Sequence, residues 1–464
     1  MNTQDTICAI ATAQGGAIGV IRISGKDAIA ITDRIFTPVG KHPLPLSERK
    51  AYTMAFGHIR QDDGEIIDEV LIGLFKSPHS YTGEDCVEIS CHGSSFILQQ
   101  VMQLLIRKGC RAAGPGEFTQ RAFLNGKMDL SQAEAVADLI ASSSAATHRM
   151  AMNQMRGGFS RELSALRERP LHLTSLMELE LDFSDHEELE FADRSELETI
   201  AGDIEKVISG LVHSFSVGNV LKNGIPVAIV GETNAGKSTL LNTLLNEEKA
   251  IVSDIHGTTR DVIEDTVNLS GITFRFIDTA GIRDTHDTIE NMGIARSFHK
   301  MEQAEIVLWV VDNTCAEAQI RQLSPRILPL CSNKQLIILL NKSDQVSAVP
   351  TKLSGLPENT VTLSISAKEK TGIQELQNLL VKTASVPELT SSDLIVTNVR
   401  HYEALSLALE DIHRVQNGLQ THLSGDFISQ DLRECLFHLA EIVGGEITAD
   451  EVLGNIFMKF CIGK

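Results

Sequence analysis

Gly231-Glu232-Thr233-Asn234-Ala235-Gly236-Lys237-Ser238 is a complete GxxxxGKS, and it directly follows the apolar run Ile225–Val230. Few folds can accommodate that juxtaposition. The motif works where a strand ends in a glycine-rich turn that opens a helix, because backbone N–H groups and the helix N-terminus must converge on phosphate. Thr239–Leu245 supplies the helical continuation. Lys237 is then set to reach the β- and γ-phosphates and Ser238 to bind magnesium, with Asn234, Ala235, Gly236 and Thr239 completing the cradle. Taken alone, the motif leaves ATP and GTP equally open.

Downstream residues decide between them. Asp278-Thr279-Ala280-Gly281 follows an apolar run, where a magnesium-side carboxylate and a γ-phosphate-sensing glycine belong. Asn341-Lys342-Ser343-Asp344 ends the next strand but one, and the Asp344 carboxylate can accept from guanine N1–H and the exocyclic amine, donors that adenine lacks. Ser366-Ala367-Lys368 ends the following strand and closes the base pocket. Any one of these could be an ordinary turn. Four in this order, each at a strand's C-terminal end, predict a GTP-binding domain.

Gly257-Thr258-Thr259 lies where a switch loop is expected, with Thr259 as second magnesium ligand or, alternatively, as part of a simple turn. Ile282 occupies the position where a Gln would orient the attacking water, and an aliphatic side chain cannot do so. Glu290 is a candidate for that task, an ordinary surface carboxylate being the other reading. No arginine finger is evident, so a second cation beside Asn234 could offset transition-state charge.

Strand-length runs at Ile225–Val230, Phe274–Ile277, Ile306–Val311, Leu336–Leu340 and Val361–Ile365 alternate with helix-length segments, which predicts a doubly wound, mostly parallel sheet. Residues 1–127 read as a small α+β domain, with β-rich runs at Ala17–Ile23, Val70–Phe75 and Val87–Ser90. Helical patterning begins near 128, where Ser131-x-x-Glu134 reads as a capping box, and resumes after the sheet. Ala404, Leu405, Ala408 and Ile412 share one helical face, and Leu432, Leu436, Leu439 and Val443 another, stopped by Gly444-Gly445. A last capping box, Thr448-x-x-Glu451, opens a final helix. The expected domains are therefore 1–127, a helical domain from 128–220 and 386–464, and an inserted GTP-binding domain at 221–385.

Net charge is −20, which argues against a chain that wraps phosphate backbone by itself, although a partner could supply positive surface. Eight cysteines without a CxxC pair fit a reducing cytoplasm. The apolar stretch 7–21 is broken by Gln14-Gly15-Gly16 and is too short for a membrane span. The acidic stretch Glu178–Glu190 reads as a solvated helix face rather than a metal site.

Three further segments carry a resemblance: Ala17-Ile18-Gly19-Val20-Ile21-Arg22-Ile23-Ser24-Gly25, Tyr81-Thr82-Gly83-Glu84-Asp85, and Pro115 through Lys127. With the GTPase motifs and the terminal Cys461-Ile462-Gly463-Lys464, they make the chain resemble the MnmE (TrmE) family of tRNA-modification GTPases over essentially its whole length. The resemblance implies a multidomain α/β architecture: an N-terminal folate-binding and dimerisation domain, a discontinuous helical domain and an inserted Ras-like P-loop GTPase domain. It implies a cytoplasmic homodimer acting with an FAD-dependent partner, MnmG (GidA), to add a carboxymethylaminomethyl group to C5 of the wobble uridine, position 34, of certain tRNAs. The tRNA is then bound mainly through the partner, with no membrane involved. The implied contacts for 5-formyltetrahydrofolate or a related one-carbon folate are Arg22, Glu88, Lys127 and Lys464. Cations suit the folate glutamate, and a carboxylate can accept from the pterin amine and ring N–H.

The resemblance also implies potassium-stimulated hydrolysis. Asn234 matches the potassium-binding asparagine, and Ser253, Ile255 and Thr258 match positions that complete the coordination, within the nucleotide loop Ser253-Asp254-Ile255-His256-Gly257-Thr258-Thr259. Glu290 matches the water-orienting glutamate, which with Lys237 and Thr259 makes up the implied catalytic set. Glu232-Thr233 replaces small or Pro residues, implying a less rigid loop, and Ser253 departs from a usual Thr. Cys461 is either reactive or a packed thiol. The rivals are an Era- or Der-like ribosome-assembly GTPase and a switch that modifies nothing. An Era-like chain needs a KH module and a Der-like one a second GxxxxGKS, and this chain shows neither.

Overall fold

Alternating burial along Ile66–Phe75 explains the first sheet, since Val70, Ile72 and Leu74 point into a core while Glu69 and Leu71 point out. The computed structural model describes residues 5–13, 15–40, 43–182, 194–249, 265–277, 301–332, 334–346, 356–357, 360–384, 394–445 and 463. The chain divides into two units. One comprises Met1–Ala141, Ala151–Ser209 and Glu403–Lys464, the other Ser142–Met150 and Gly210–Tyr402.

In the first unit the strands are β1 (Ile7–Ile10), β2 (Ile18–Ser24), β3 (Phe36–Pro38), β4 (Thr53–Arg60), β5 (Ile66–Phe75), β6 (Cys86–His92) and β7 (Arg111–Ala112). They form a seven-stranded sheet in the order β3-β4-β5-β6-β2-β1-β7, antiparallel except for the β1–β7 pair. Helices α1 (Ala28–Asp33) and α2 (Ser95–Arg107) cover one face, where Ile31, Leu98, Val101 and Leu105 join Ile21, Ile23, Ile72 and Ile89 in one core. Met54 and Phe56 on β4 and Leu71 on β5 remain exposed, and Phe56 stands directly opposite Leu71. The β-rich runs expected from sequence fall on β2, β5 and β6, with Ala17 just before the start of β2. The short β1, with β3, β4 and β7, carries too little periodic signal to be found without its neighbours.

The same unit holds α3 (Glu117–Leu124), α4 (Leu130–Ala141), α6 (Gly158–Asp182) and α12 (Gly425–Val443), the last packing on α6. Expectation and structure differ at the start of α4. The capping box is not Ser131 with Glu134 but Asp129 with Gln132. The Asp129 carboxylate accepts from Gln132 N–H at 2.8 Å, and the Gln132 amide oxygen accepts from Asp129 N–H at 2.9 Å. Ser131 lies inside the helix, fully buried, and its hydroxyl accepts from Gln154 instead. Two reciprocal boxes were possible two residues apart, and packing of Leu130 into the core selects the earlier one. On α12 the buried stripe is Ile428, Leu432, Cys435, Leu439 and Ile442, with Leu436 and Val443 at its margin. Gly444, at φ +85°, ends that helix in the left-handed conformation a C-terminal glycine provides. The expected Thr448-x-x-Glu451 box and most of the acidic stretch lie outside the described residues.

The second unit centres on β8 (Ile225–Val230), β9 (Asp265–Leu269), β10 (Ile272–Phe276), β11 (Ile306–Asp312), β12 (Gln335–Asn341) and β13 (Val361–Ser364). Their order is β13-β12-β11-β8-β10-β9, parallel except for the β9–β10 hairpin. The doubly wound sheet is thus present, with one unexpected antiparallel edge. Ser270 and Gly271, both at positive φ, make the tight turn that joins those two strands. β11 is buried on both faces, so its run Ile306–Val311 is continuously apolar, and Trp309 is fully enclosed. Helices α8 (Lys237–Lys249), α9 (Ala316–Ile327) and α10 (Ile373–Thr383) pack on the sheet, Leu240, Leu241, Leu376 and Leu380 on one face and Ile320 and Ile327 on the other. Helices α5 (Ala145–Met155), α7 (Arg194–Asn223) and α11 (Val399–Gln420) each have residues in both units, and Ala404, Leu405, Ala408 and Ile412 of α11, which belong to the first unit, are all buried as expected. Among the described residues no helix is long and apolar enough to cross a membrane, and none of their His, Cys, Asp and Glu side chains cluster as a metal site.

Candidate functional site

The phosphate loop leaves β8 at Gly231 and enters α8 at Lys237. Two glycines in it are dictated by close approach. A Cβ on Gly231 would sit 2.2 Å from the Val310 carbonyl oxygen, and one on Gly236 would sit 2.1 Å from Asn341 Nδ2. Asn234 is left-handed at φ +62° and exposed, and its side chain makes no hydrogen bond among the described residues. Lys237 Nζ donates to the carbonyl oxygens of Gly231 at 2.9 Å and Glu232 at 2.6 Å.

Asn341, at the C-terminal end of β12, joins three of the expected motifs. Its amide nitrogen donates to the Ala235 carbonyl at 2.8 Å and its oxygen accepts from Ala367 N–H at 3.0 Å. Thr243 on α8 adds a bond from its hydroxyl to the Ala367 carbonyl at 3.0 Å. Ser366 donates to Asp344 Oδ1 at 2.6 Å, so an otherwise exposed carboxylate is held in one orientation. A fixed acceptor pair of that kind can discriminate guanine by its N1–H and amine. Lys342, left-handed at φ +64°, donates to Asp312 Oδ2 at 2.5 Å. Burial pushes the Asp312 carboxyl up, but the Lys342 ammonium and two bonds from Thr314 outweigh it and hold it below the usual range.

Asn234, Ala235, Gly236, Lys237, Ser238, Thr239, Asn341, Lys342, Ser343, Asp344, Ser366, Ala367 and Lys368 therefore surround the C-terminal edge of β8 and β12, Lys368 with its side chain in solvent. The expected residues Ser253, Asp254, Ile255, His256, Gly257, Thr258, Thr259, Asp278, Thr279, Ala280, Gly281 and Glu290 lie outside the described residues. Asp312, Gln319 and Thr243 are contributors that sequence reading missed. A "VVD" strand end hints at Asp312, but nothing local marks the other two.

In the first unit Arg22 on β2 and Glu88 on β6 are direct cross-strand partners, with Arg22 Nε donating to Glu88 Oε1 at 2.9 Å. The guanidinium carbon also lies 5.3 Å from the Tyr81 ring centre and 5.7 Å from that of Phe118. Tyr81 shares a 2.8 Å hydroxyl bond with Thr119, and burial pushes its phenol up. A guanidinium set between rings beside a half-buried carboxylate can pair with a planar, donor-rich heterocycle or a carboxylate ligand. Lys127 touches the same 78–83 segment, its Nζ donating to the Pro78 carbonyl at 3.0 Å. Lys464 lies outside the described residues, but its neighbour Gly463 sits against β1, where a Cβ would meet the Ile10 carbonyl oxygen at 2.4 Å.

The Tyr81–Asp85 and Pro115–Lys127 segments prove to be one bonded cluster. Arg121, only 3% exposed, donates to Asp5 Oδ1 at 2.6 Å, Glu84 Oε1 at 3.2 Å and Glu117 Oε1 at 3.1 Å. Arg111 adds bonds to Asp5 and Glu117, both at 2.6 Å. Ser24 donates to Glu84 at 2.7 Å, and Asn125 to the Thr82 carbonyl at 2.8 Å. For Glu117, burial raises the carboxyl but Arg111, the Gly114 N–H and Arg121 overcome it and hold it low; Asp5 is held low chiefly by Arg111.

Against known proteins, the family model described as "GTP-binding protein TrmE N-terminus" matches residues 6–127, and "MnmE helical domain" matches 130–461. Three similar curated relatives are each called tRNA modification GTPase MnmE. The one from Bacteroides thetaiotaomicron is 66% identical over 99% of this chain and 100% of its own length. That from Parabacteroides distasonis is 64% identical with the same coverage, and that from Flavobacterium johnsoniae is 52% identical over 100% of both chains.

Proposed function

The chain belongs to the MnmE family and is a GTP hydrolase of tRNA modification, and from that premise we propose that it is a homodimer whose hydrolysis potassium stimulates. The observation that carries the potassium reading is Asn234, an exposed amide with no hydrogen bond of its own among the described residues, in the left-handed bend of the phosphate loop. Such an amide oxygen is free to take a cation. Asn234 would hold potassium together with Ser253, Ile255 and Thr258, and Ser238 with Thr259 would hold magnesium. When bound, these ions supply positive charge to the phosphate oxygens. Lys237 adds its ammonium there, and Glu290 accepts from the attacking water as its oxygen bonds the γ-phosphorus and the bridging P–O bond breaks.

The exposed apolar residues Met54, Phe56 and Leu71 support dimerisation through the first sheet. The Arg22–Glu88 pair supports a one-carbon folate such as 5-formyltetrahydrofolate, with Lys127 and Lys464 toward its glutamate. In this reading a cytoplasmic complex with the FAD-dependent protein MnmG installs a carboxymethylaminomethyl group at C5 of wobble uridine 34, and the partner carries most of the tRNA contact, consistent with a net charge of −20 here.

The test is GTP turnover against protein concentration in matched potassium and sodium buffers. Turnover should rise with both potassium and concentration, by up to about 10³-fold, because the cation stands in for an arginine finger. Asn234→Ala should remove the potassium effect while leaving GDP binding measurable. Equal slow rates in both buffers would remove the potassium mechanism.

A further inference from the structure

Glu232 places a negative charge at the second position of a loop that receives a polyanion. Uncompensated, that carboxylate opposes phosphate binding by like-charge repulsion. Among the described residues its carboxylate has a single side-chain partner: Gln319 on α9, whose Nε2 donates to Glu232 Oε2 at 2.8 Å. Gln319 is 7% exposed and cannot turn freely. Its amide orientation is also set from the other end, because Oε1 accepts from the Asp312 N–H at 2.9 Å. A backbone N–H only donates, so the Gln319 oxygen must face Asp312 and its NH₂ must face Glu232. Asp312 is in turn bonded to Lys342 of the base loop.

We propose that Gln319 is a positioning residue for nucleotide binding: it holds the Glu232 carboxylate on α9 and so keeps that charge, and the entry to the phosphate loop, in one place. Glu232 and Gln319 are 87 positions apart, and neither belongs to the motif's invariable letters. A carboxylate here does not loosen the loop by itself, because α9 supplies a tether that a small residue could not use. The inference needs GTP binding alone and is independent of potassium, folate or any partner.

Release of N-methylanthraniloyl-GDP from the full-length protein in magnesium buffer tests it. Gln319→Ala should speed release on the order of tenfold, the size of one hydrogen bond to a charged group. Glu232→Gln/Gln319→Ala, with no charge left to swing inward, should return release to within about threefold of the starting protein. A helix α9 weakened only structurally would not recover in that way. Unchanged release in Gln319→Ala, or a double variant as fast as the single one, overturns the proposal. Should Gln319→Ala fail to fold, Gln319→Glu and its swap Glu232→Gln/Gln319→Glu replace it. Facing carboxylates should speed release. The swap should restore it, since the carboxylate moved onto α9 can accept both from the Asp312 N–H and from the amide moved into the loop. A swap no slower than Gln319→Glu alone also overturns the proposal.

Discussion

Asn341 gathers the nucleotide motifs through main-chain atoms of Ala235 and Ala367, whereas Arg121 gathers the N-terminal motifs mainly through the carboxylates of Asp5, Glu84 and Glu117. Both residues are buried, and both join segments far apart in sequence. They differ in what they leave behind if removed. Loss of Asn341 strands a carbonyl and an N–H, both neutral. Loss of Arg121 strands charge, which a partly buried site tolerates far less well. The nucleotide loops are therefore organised by geometry that many sequences could share, and the N-terminal cluster by complementary charges that few could.

The largest effect expected from this difference is in Arg121→Met. It should destabilise the first unit by about 3 kcal/mol, toward the lower end for a broken buried ion pair because Asp5 keeps some solvent contact. Thermal unfolding would show it as an early transition with GDP binding retained by the second unit. Next, Asn341→Ala should weaken GDP binding by roughly 30-fold, about 2 kcal/mol, for two orphaned backbone groups. Calorimetric titration would measure that, and an unchanged unfolding of the first unit would keep the two effects separate. An Asn341→Ala protein that loses both units together would break the comparison.

The smallest effect is that of pH. Glu117 and Asp5 have folded values below their ordinary ones, near 4.5 and 3.8. Their contribution to stability is thus complete above those ordinary values and is lost as pH falls through the folded ones. Melting temperatures followed from pH 6 to pH 3 should decline, and Glu117→Gln should flatten the decline. Asp411 opposes this trend: burial raises it despite Arg414 and His438, so its contribution grows on acidification.

The sheet of the second unit was readable because β8, β11 and β12 are apolar on both faces, and β8 leads directly into the motif residue Gly231 while β12 ends at Asn341. The β9–β10 hairpin was not, since Asp265–Leu269 is short and half polar, with only Val267 buried, in a core that α8 and the other strands complete. The start of α4 shows a different limit. Asp129-x-x-Gln132 and Ser131-x-x-Glu134 both satisfy the local pattern, and only burial of Leu130 and Ser131 chooses between them. In the N-terminal unit Arg22 and Glu88 could be singled out by resemblance, but the rings of Tyr81 and Phe118 around the guanidinium could not.

By itself, the sequence determined the nucleotide class, the mostly parallel character of the second sheet and the helix stop at Gly444, because each is written in short local motifs and strand-length apolar runs. Tertiary structure alone decided that Glu232 finds Gln319, that Asn341 faces backbone rather than base, and that Arg121 bonds the carboxylates of Asp5 and Glu84 as well as that of Glu117. Apart from Arg121–Glu117, one helical turn apart, those contacts span dozens of positions, and the entropy cost of closing such long loops is met only where hydrophobic burial holds the segments together.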